Sequence, residues 1–382
     1  MTLKNREEDI KAAVKDFEKL LREQLDRADK MSSEKSSGKA SDSATVIGLI
    51  DGDGIGPIIM KEARKLLEIM LSDEINAGKV ILRDIKGLTI GNRKAQGKSV
   101  PDDVLDEIKS CDVLLKGPTE TPKGGTMESA NVTLRRELDL YANVRPVAVP
   151  ELGIDWTFFR ENTEGEYVLG SRGIKIGEDL TMDFKVITGA GTERIARAAF
   201  DFAKNNNKER VAIVTKANIM KKTDGKFSEI CRKVAGDYPG IKAEDWYVDI
   251  MSANLINENI RSGFQVFVLP NLYGDIITDE AAEIQGGVGT AGSANIGDRY
   301  AMFEAIHGTA PRMIEDGLQD YVNPLSILKA SEMLLRHIGY PEIAERLRCA
   351  LDKAQSSDAP RVTGFREGAG TKELMEYIYS VL

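Results

Sequence analysis

The sequence predicts an α/β protein with a largely parallel sheet, on three observations. From residue 45 onward, apolar runs of strand length alternate with amphipathic stretches of helix length. Glycine is abundant, 35 of 382 residues, and several glycines sit in the turns that close apolar runs. Aromatic residues make up only 6%, which suits tight βα turns better than an all-β sandwich.

The elements follow in order. Residues 1–43 stand apart from the rest. Ile10, Val14, Phe17, Leu20, Leu21 and Leu25 recur at three- and four-residue spacing between charges. That spacing predicts an amphipathic helix of about 25 residues. The serine-rich run 32–43 reads as a flexible linker. Two roles stay open for the helix: packing on its own subunit, or mediating assembly. From residue 44, ATVIGLI is a buried strand, DGDGIGP a glycine-rich turn, and 58–71 a helix. A strand is expected over 79–85, a helix near 101–110 with Pro101 at its first position, and a strand over 112–118. Further strands fall at 211–216 and 264–271, and further helices at 193–206 and 326–339. No internal repeat is seen.

Composition narrows the function. Lys and Arg number 52 against 61 Asp and Glu, a net charge of −9, so a global basic footprint for nucleic acid is absent. Residues 1–43 hold ten basic and ten acidic side chains, so the whole −9 lies in 44–382. No apolar run approaches the roughly 18–20 residues of a membrane span. The three cysteines, Cys111, Cys231 and Cys349, have no CxxC spacing and read as small buried residues in a reducing compartment. The start lacks the apolar core of a signal peptide, so the cytoplasm is the expected location. No GxSxG elbow supports a serine hydrolase and no GxxxxGK[ST] supports a P-loop.

Several residue patterns suit a catalytic site. Asp275 and Asp279 are four apart, so on a helix they share a face and offer oxygen ligands to Mg2+ or Mn2+. They are expected at the helix N-terminus, where acidic residues are also common without a metal. Arg135, Arg136 and Arg145 bracket an apolar stretch, and Arg160 opens RENTEGEY. Converging guanidinium forks suit a di- or tricarboxylate, although each alone also fits a surface ion pair. Lys216 follows an apolar strand and could serve as an acid or base or as a solvated lysine. Of two histidines, His307 lies in the turn HGTAP and His337 in an apolar helix. The turn Gly52–Gly56 has GxGxG spacing, a weak dinucleotide signal, and a tight structural turn explains it as well.

Together these motifs resemble the decarboxylating 3-hydroxy-acid dehydrogenases, the isocitrate and isopropylmalate dehydrogenase family. The matching stretches are IDGDGIGP, LLKGP with TPKGG, SANVTLRRELDLYANVRP, FFRENTEGEY, VTKANIMK, WYVDIMSANL, NLYGDIITD, GSANIG and IHGTAP, in family order from about residue 44 to the end. The resemblance implies that family's two-domain α/β fold, not a Rossmann fold, with an added N-terminal helix. It implies a larger nucleotide-side domain from 44–140 plus 287–382. A smaller domain over 141–286 would carry dimerisation, substrate and metal contacts. The Gly52–Gly56 turn is then not expected to cradle a pyrophosphate.

The resemblance also implies roles by position. Arg135, Arg145 and Arg160 match the clamp on the malate-like part of the substrate, with Ser129 and Asn131 beside it. Tyr167 and the partner subunit's Lys216 match the acid/base pair. Asp275, Asp279 and the partner subunit's Asp249 match metal ligands for Mg2+ or Mn2+. Thr121, Asn218, His307, Gly308, Thr309, Ala310, Pro311, Arg312 and Asn323 match the nucleotide side. The implied reaction is oxidative decarboxylation of a 2-hydroxy acid in a homodimer, or a higher homo-oligomer, with shared active sites. Ser129 and Asn131 favour isocitrate, with homoisocitrate, isopropylmalate, and malate or tartrate as alternatives. Arg312 favours NADP, with NAD the alternative, because it stands where NAD-using relatives carry an acidic residue. The chain departs from the family at Ile58, Glu120 and Thr126, over Arg312–Val322, and in the tail VTGFREGAGT. Rivals of another class are a non-catalytic regulatory subunit and a tricarboxylate-binding module. The full set of Arg, Tyr, Lys and Asp residues speaks against both.

Overall fold

The computed structural model describes residues 3–33, 44–122, 127–170, 172–176 and 178–382. Most of the expected linker and Thr126 lie outside them. The chain forms two compact units, one from 1–37 with 158–277, the other from 38–157 with 278–382. The sequence reading draws its divisions after residues 140 and 286.

The elements run α1 (Leu3–Ser33), β1 (Thr45–Ile50), α2 (Gly56–Met70), α3 (Ser72–Asn76), β2 (Val80–Asp84), α4 (Ile90–Gln96), α5 (Asp102–Lys109), β3 (Val113–Lys116), α6 (Ala130–Glu137) and β4 (Ala142–Val149). Then follow β5 (Ile154–Glu161), β6 (Ile174–Ile176), β7 (Leu180–Met182), α7 (Gly189–Asn205), β8 (Arg210–Thr215), α8 (Thr223–Ala235), β9 (Lys242–Tyr247), α9 (Val248–Ile256), β10 (Val266–Leu269) and α10 (Asn271–Ile284). The chain closes with β11 (Gly292–Ile296), β12 (Ala301–Ala305), α11 (Pro311–Glu315), α12 (Leu325–His337), α13 (Pro341–Ala354) and α14 (Thr371–Val381). β5 and α10 carry the chain across the division between the units.

In the unit holding both flanks of the central segment, the strand order is β2-β1-β3-β12-β11-β4. β1 pairs parallel with β2 and β3, and β12 parallel with β3, while β11 runs antiparallel to both neighbours. The sheet is therefore largely parallel, as expected, with one reversed strand. Side chains alternate across it. Val113, Leu115, Ala301 and Phe303 enter a core with α2, α12, α13 and α14. Leu114 and Met302 enter a second core with Val104, Ile108 and Leu134 from α5 and α6. Both faces are covered, which is why these strands read as unbroken apolar runs rather than as alternation. α2 supplies Ile59, Met60, Ala63, Leu66, Leu67 and Met70 along one stripe.

The glycine-rich turn after β1 ties distant motifs of this unit together. Gly52 and Gly54 have φ of 73° and 58°, and a Cβ on either would lie 2.1 Å from the carbonyl oxygen of Pro118 or Thr309. The Asp53 N–H donates to Pro118 O (2.7 Å) and the Ile55 N–H to Thr309 O (3.0 Å). The Asp53 carboxylate accepts from the N–H groups of Ile90 (2.8 Å) and Glu120 (2.9 Å). Backbone crowding alone demands glycine here.

In the other unit, β5, β10, β8 and β9 are neighbours, with β8 parallel to both β10 and β9. Phe158 stacks on Phe267 at 4.2 Å between ring centroids. α7 starts on Thr188, whose hydroxyl accepts from the Gly191 N–H (3.0 Å), and buries Ile195, Ala196, Ala199 and Phe200. The expected N-terminal helix forms and is longer than its apolar spacing suggested, 31 residues. It packs on β6 and α7.

Three details correct the sequence reading. Cys349 is exposed, unlike Cys111 and Cys231, because α13 buries Leu347, Ala350 and Leu351 and turns Cys349 outward. Pro101 caps α5 instead of opening it. Asp275 and Asp279 lie in the second and third turns of α10, beyond the reach of its N-terminal N–H groups. No described helix is long and apolar enough to cross a membrane.

Candidate active site

In the unit that includes α6, three charged side chains share a buried site. Glu304 on β12 accepts from Arg135 of α6 at 3.2 Å and faces the Lys116 Nζ, at the end of β3, at 3.2 Å. Asn295 Nδ2 donates to it at 2.9 Å. Burial alone would raise Glu304, but the charges of Lys116 and Arg135 hold it down at about 2. Burial pushes Lys116 down against the pull of Glu304. Two cations thus share one carboxylate, and the Arg135 Nε, also buried, has no hydrogen-bond partner among the described residues. Arg145 on β4 donates to Thr278 (2.6 Å) and Asp279 (2.9 Å).

Ser129 caps α6 by position, and Asn131 accepts from the Thr119 hydroxyl at 3.2 Å. Thr121 is exposed. On the expected nucleotide side, His307 Nδ1 lies 3.0 Å from Gly308 O, and its Nε2 is buried without a partner among the described residues. Burial lowers its pKa. Thr309 is held by the glycine turn, Ala310 takes a φ of 42°, and Pro311 opens α11. Arg312 is exposed on α11. Asn323 accepts from the Leu325 N–H (3.0 Å) and lines a cleft of about 630 Å³ with Arg361 and Thr363.

In the other unit, Arg160 lies near the end of β5, fully buried. Its Nε and Nη2 both donate to Asn271 Oδ1, at 2.9 and 2.7 Å, and its Nη1 pairs with Asp275. Gly274 of α10 leaves the room, since a Cβ there would sit 2.5 Å from Arg160 Cγ. The Tyr167 hydroxyl donates to Asp275 at 2.9 Å, so Arg160, Tyr167 and Asp275 form one cluster. Lys216 follows β8 and pairs with Asp249 at the start of α9, and that contact lowers the Asp249 pKa. Asn218 is exposed in the same turn.

A family model described as isocitrate/isopropylmalate dehydrogenase matches residues 46–378. The chain belongs to the isocitrate/isopropylmalate dehydrogenase family. It is 37% identical over 350 residues to a Rickettsia felis protein named isocitrate dehydrogenase (NADP), covering 87% of this chain and 69% of that one. It is 39% identical over 318 residues to 3-isopropylmalate dehydrogenase of Archaeoglobus fulgidus, covering 80% and 90%. The crystal structure of isocitrate dehydrogenase from Methylococcus capsulatus superposes with a TM-score of 0.78 at 36% identity, covering 88% of this chain and 99% of that one.

Family membership implies a divalent metal and NAD(P), and the donor chemistry fits the metal. Asp275, Asp279 and Asp249 offer hard oxygen ligands. Each carboxylate holds a cation of this chain: Arg160, Arg145 and Lys216 respectively. Among the described residues no group of three or more acidic, His or Cys side chains gathers.

Several residues of this family member escaped the sequence reading. Glu304 is a lone acid in the apolar run AMFEAI, a signal that could have marked it. Lys116 lies in LLKGP, one of the quoted motifs. Arg93 is fully buried and donates to the carbonyls of Ser99 (2.7 Å) and Glu120 (2.6 Å). Nothing in GNRKAQ marks it. Asn271 bridges Arg160 to Glu164, to whose carbonyl it donates at 2.9 Å.

Proposed function

We propose that this protein catalyses the oxidative decarboxylation of isocitrate to 2-oxoglutarate and CO2, with NAD(P)+ as hydride acceptor. The observation that carries this is the pair Ser129 and Asn131, half-buried hydrogen-bonding residues at the start of the helix that presents Arg135. They suit a third carboxylate, where an isopropyl group would want apolar walls. Arg135, Arg145 and Arg160 bind the carboxylates shared by all family substrates. Tyr167 supplies the proton to the carbon that loses CO2, and the partner subunit's Lys216 accepts the hydroxyl proton. Asp275 and Asp279, with Asp249 of the partner subunit, would hold Mg2+ or Mn2+, which polarises the substrate hydroxyl and carboxylate oxygens. The protein then works as a cytoplasmic homodimer or higher homo-oligomer with shared sites.

Comparing kcat/KM on isocitrate and isopropylmalate, by absorbance at 340 nm with Mg2+, tests the substrate. Isocitrate is expected to be preferred by 100-fold or more, on the order of what unpaired buried polar groups impose. Faster turnover of isopropylmalate sinks the reading.

Arg312 supports NADP, since an exposed guanidinium suits a 2′-phosphate. Arg312→Asp is expected to raise the KM for NADP about tenfold or more while leaving that for NAD unchanged. An equal change for both nucleotides removes Arg312 from the nucleotide site.

A further inference from the structure

Helix α1 precedes the stretch matched by the family, so the family assigns it no role. Yet its side chains converge on the segment that carries Tyr167. Leu20 packs with Val168 and Leu169, the two residues after Tyr167. Glu23 pairs with Arg172. Phe17 lies against Phe184 at 5.3 Å between ring centroids.

Arg27 reaches furthest in. Its Nη2 lies 2.7 Å from Glu164 Oε1, and the Glu164 side chain is fully buried. Glu164 also accepts from the Thr188 N–H (2.8 Å) and the Thr188 hydroxyl. A Cβ on Gly191 would lie 2.5 Å from the Glu164 carboxyl carbon, so the carboxylate sits in a slot with no slack. Its neighbour Glu161 is buried as well, and burial and the charge of Glu164 push it up to about 7. Arg194 donates to Thr163 at 3.0 Å, and its charge acts on Glu161 in the opposite sense to burial. Two buried carboxylates therefore meet at the turn between β5 and Tyr167, and α1 supplies a cation to one of them. From Glu164 the contacts continue through its carbonyl to Asn271, from Asn271 to Arg160, and from Arg160 and Tyr167 to Asp275.

We propose that Arg27 is a positioning residue: by pairing with buried Glu164 it fixes the turn that carries Arg160 and Tyr167, which makes the added helix part of the active-site support. The inference rests on the reading of Tyr167 as the proton donor. A buried carboxylate stripped of its cation must recruit water or move, and either shifts a turn that Gly191 and Asn271 hold in one place.

The test uses the full chain carrying Arg27→Ala, Arg27→Gln or Arg27→Lys, with Arg172→Ala as the control that breaks a surface pair on the same interface. Arg27→Ala is expected to speed amide exchange in 164–170 by about tenfold. It is expected to lower kcat for isocitrate about tenfold or more, with KM changed less than about threefold. Arg27→Lys is expected to keep most of the activity, and added guanidinium to recover part of it in Arg27→Ala. If Arg27→Ala does not fold, Arg27→Gln against Arg27→Lys carries the same comparison, equal length with and without charge. Unchanged exchange and kcat in Arg27→Ala overturn the inference. So does a Lys variant as impaired as Ala or Gln, or the same loss in Arg172→Ala. Should the native chain fail to oxidise isocitrate, the functional reading fails, and the exchange measurement still decides what Arg27 holds.

Discussion

Each unit buries a charged cluster, and the two are built in opposite senses. Around Glu304, two cations share one carboxylate, and Asn295 adds a neutral donor. Around Glu164, two carboxylates adjoin, and one of their cations comes from α1. The first cluster lies wholly within the stretch common to the family. The second is completed from outside it. They also differ in when they titrate, since Glu304 sits at about 2 and Glu161 at about 7. A cluster with surplus cations is suited to receive an anion, as the substrate reading asks of Arg135. A cluster with surplus acid needs its own chain to balance it.

Removing the shared carboxylate gives the largest expected effect. Glu304→Gln strips buried Lys116 and Arg135 of the carboxylate they share and should cost about 3–5 kcal/mol, read from urea unfolding. The double variant Lys116→Met/Glu304→Gln should recover part of that loss, because one of the stranded cations is gone. If Glu304→Gln is as stable as the native chain, the network is slack and the contrast between the clusters falls.

A smaller effect separates the clusters by pH. Glu304 titrates below its ordinary value, so its contribution is present above about pH 4.5 and is lost only as pH falls through about 2. Glu161 titrates above its ordinary value, so its contribution is full below about pH 4.5 and is lost as pH rises through about 7. Between pH 5 and 8 only the Glu161 cluster should respond. The Glu161 contribution is expected to fall across that range by on the order of 1–3 kcal/mol, read as the difference in unfolding free energy between the native chain and Glu161→Gln. A difference between the two proteins that stays constant from pH 5 to 8 assigns the pH response elsewhere.

Much of the fold was legible because both sheet faces are buried, and buried strands such as β1, β3, β8 and β10 announce themselves as apolar runs. β4 was harder, since it carries Arg145 and Pro146 inside a strand, and β9 is largely polar along KAEDWY. The proposed site residues were named through motifs, which keep Arg135, Tyr167 or Asp275 recognisable wherever the chain goes. Their supports were not. Lys116 meets Glu304 across nearly two hundred residues of sequence, and Arg27 meets Glu164 across more than a hundred. Such pairings depend on three-dimensional closure, and a local pattern carries no trace of them. The charges of residues 1–43 balance in sequence, yet Arg27 of α1 pairs with a fully buried carboxylate.

The knot at Gly52 and Gly54 has a consequence for how variation in this protein is read. In a population of single substitutions, these two positions will tolerate nothing, because a carbonyl oxygen already fills the space of any side chain. Gly91, Gly225 and Gly240 face open space and will drift. An observer of sequence change alone would rank the knot beside the arginines and aspartates of the site. What it protects is the meeting of three loops, so constancy at a residue can report crowding as faithfully as chemistry.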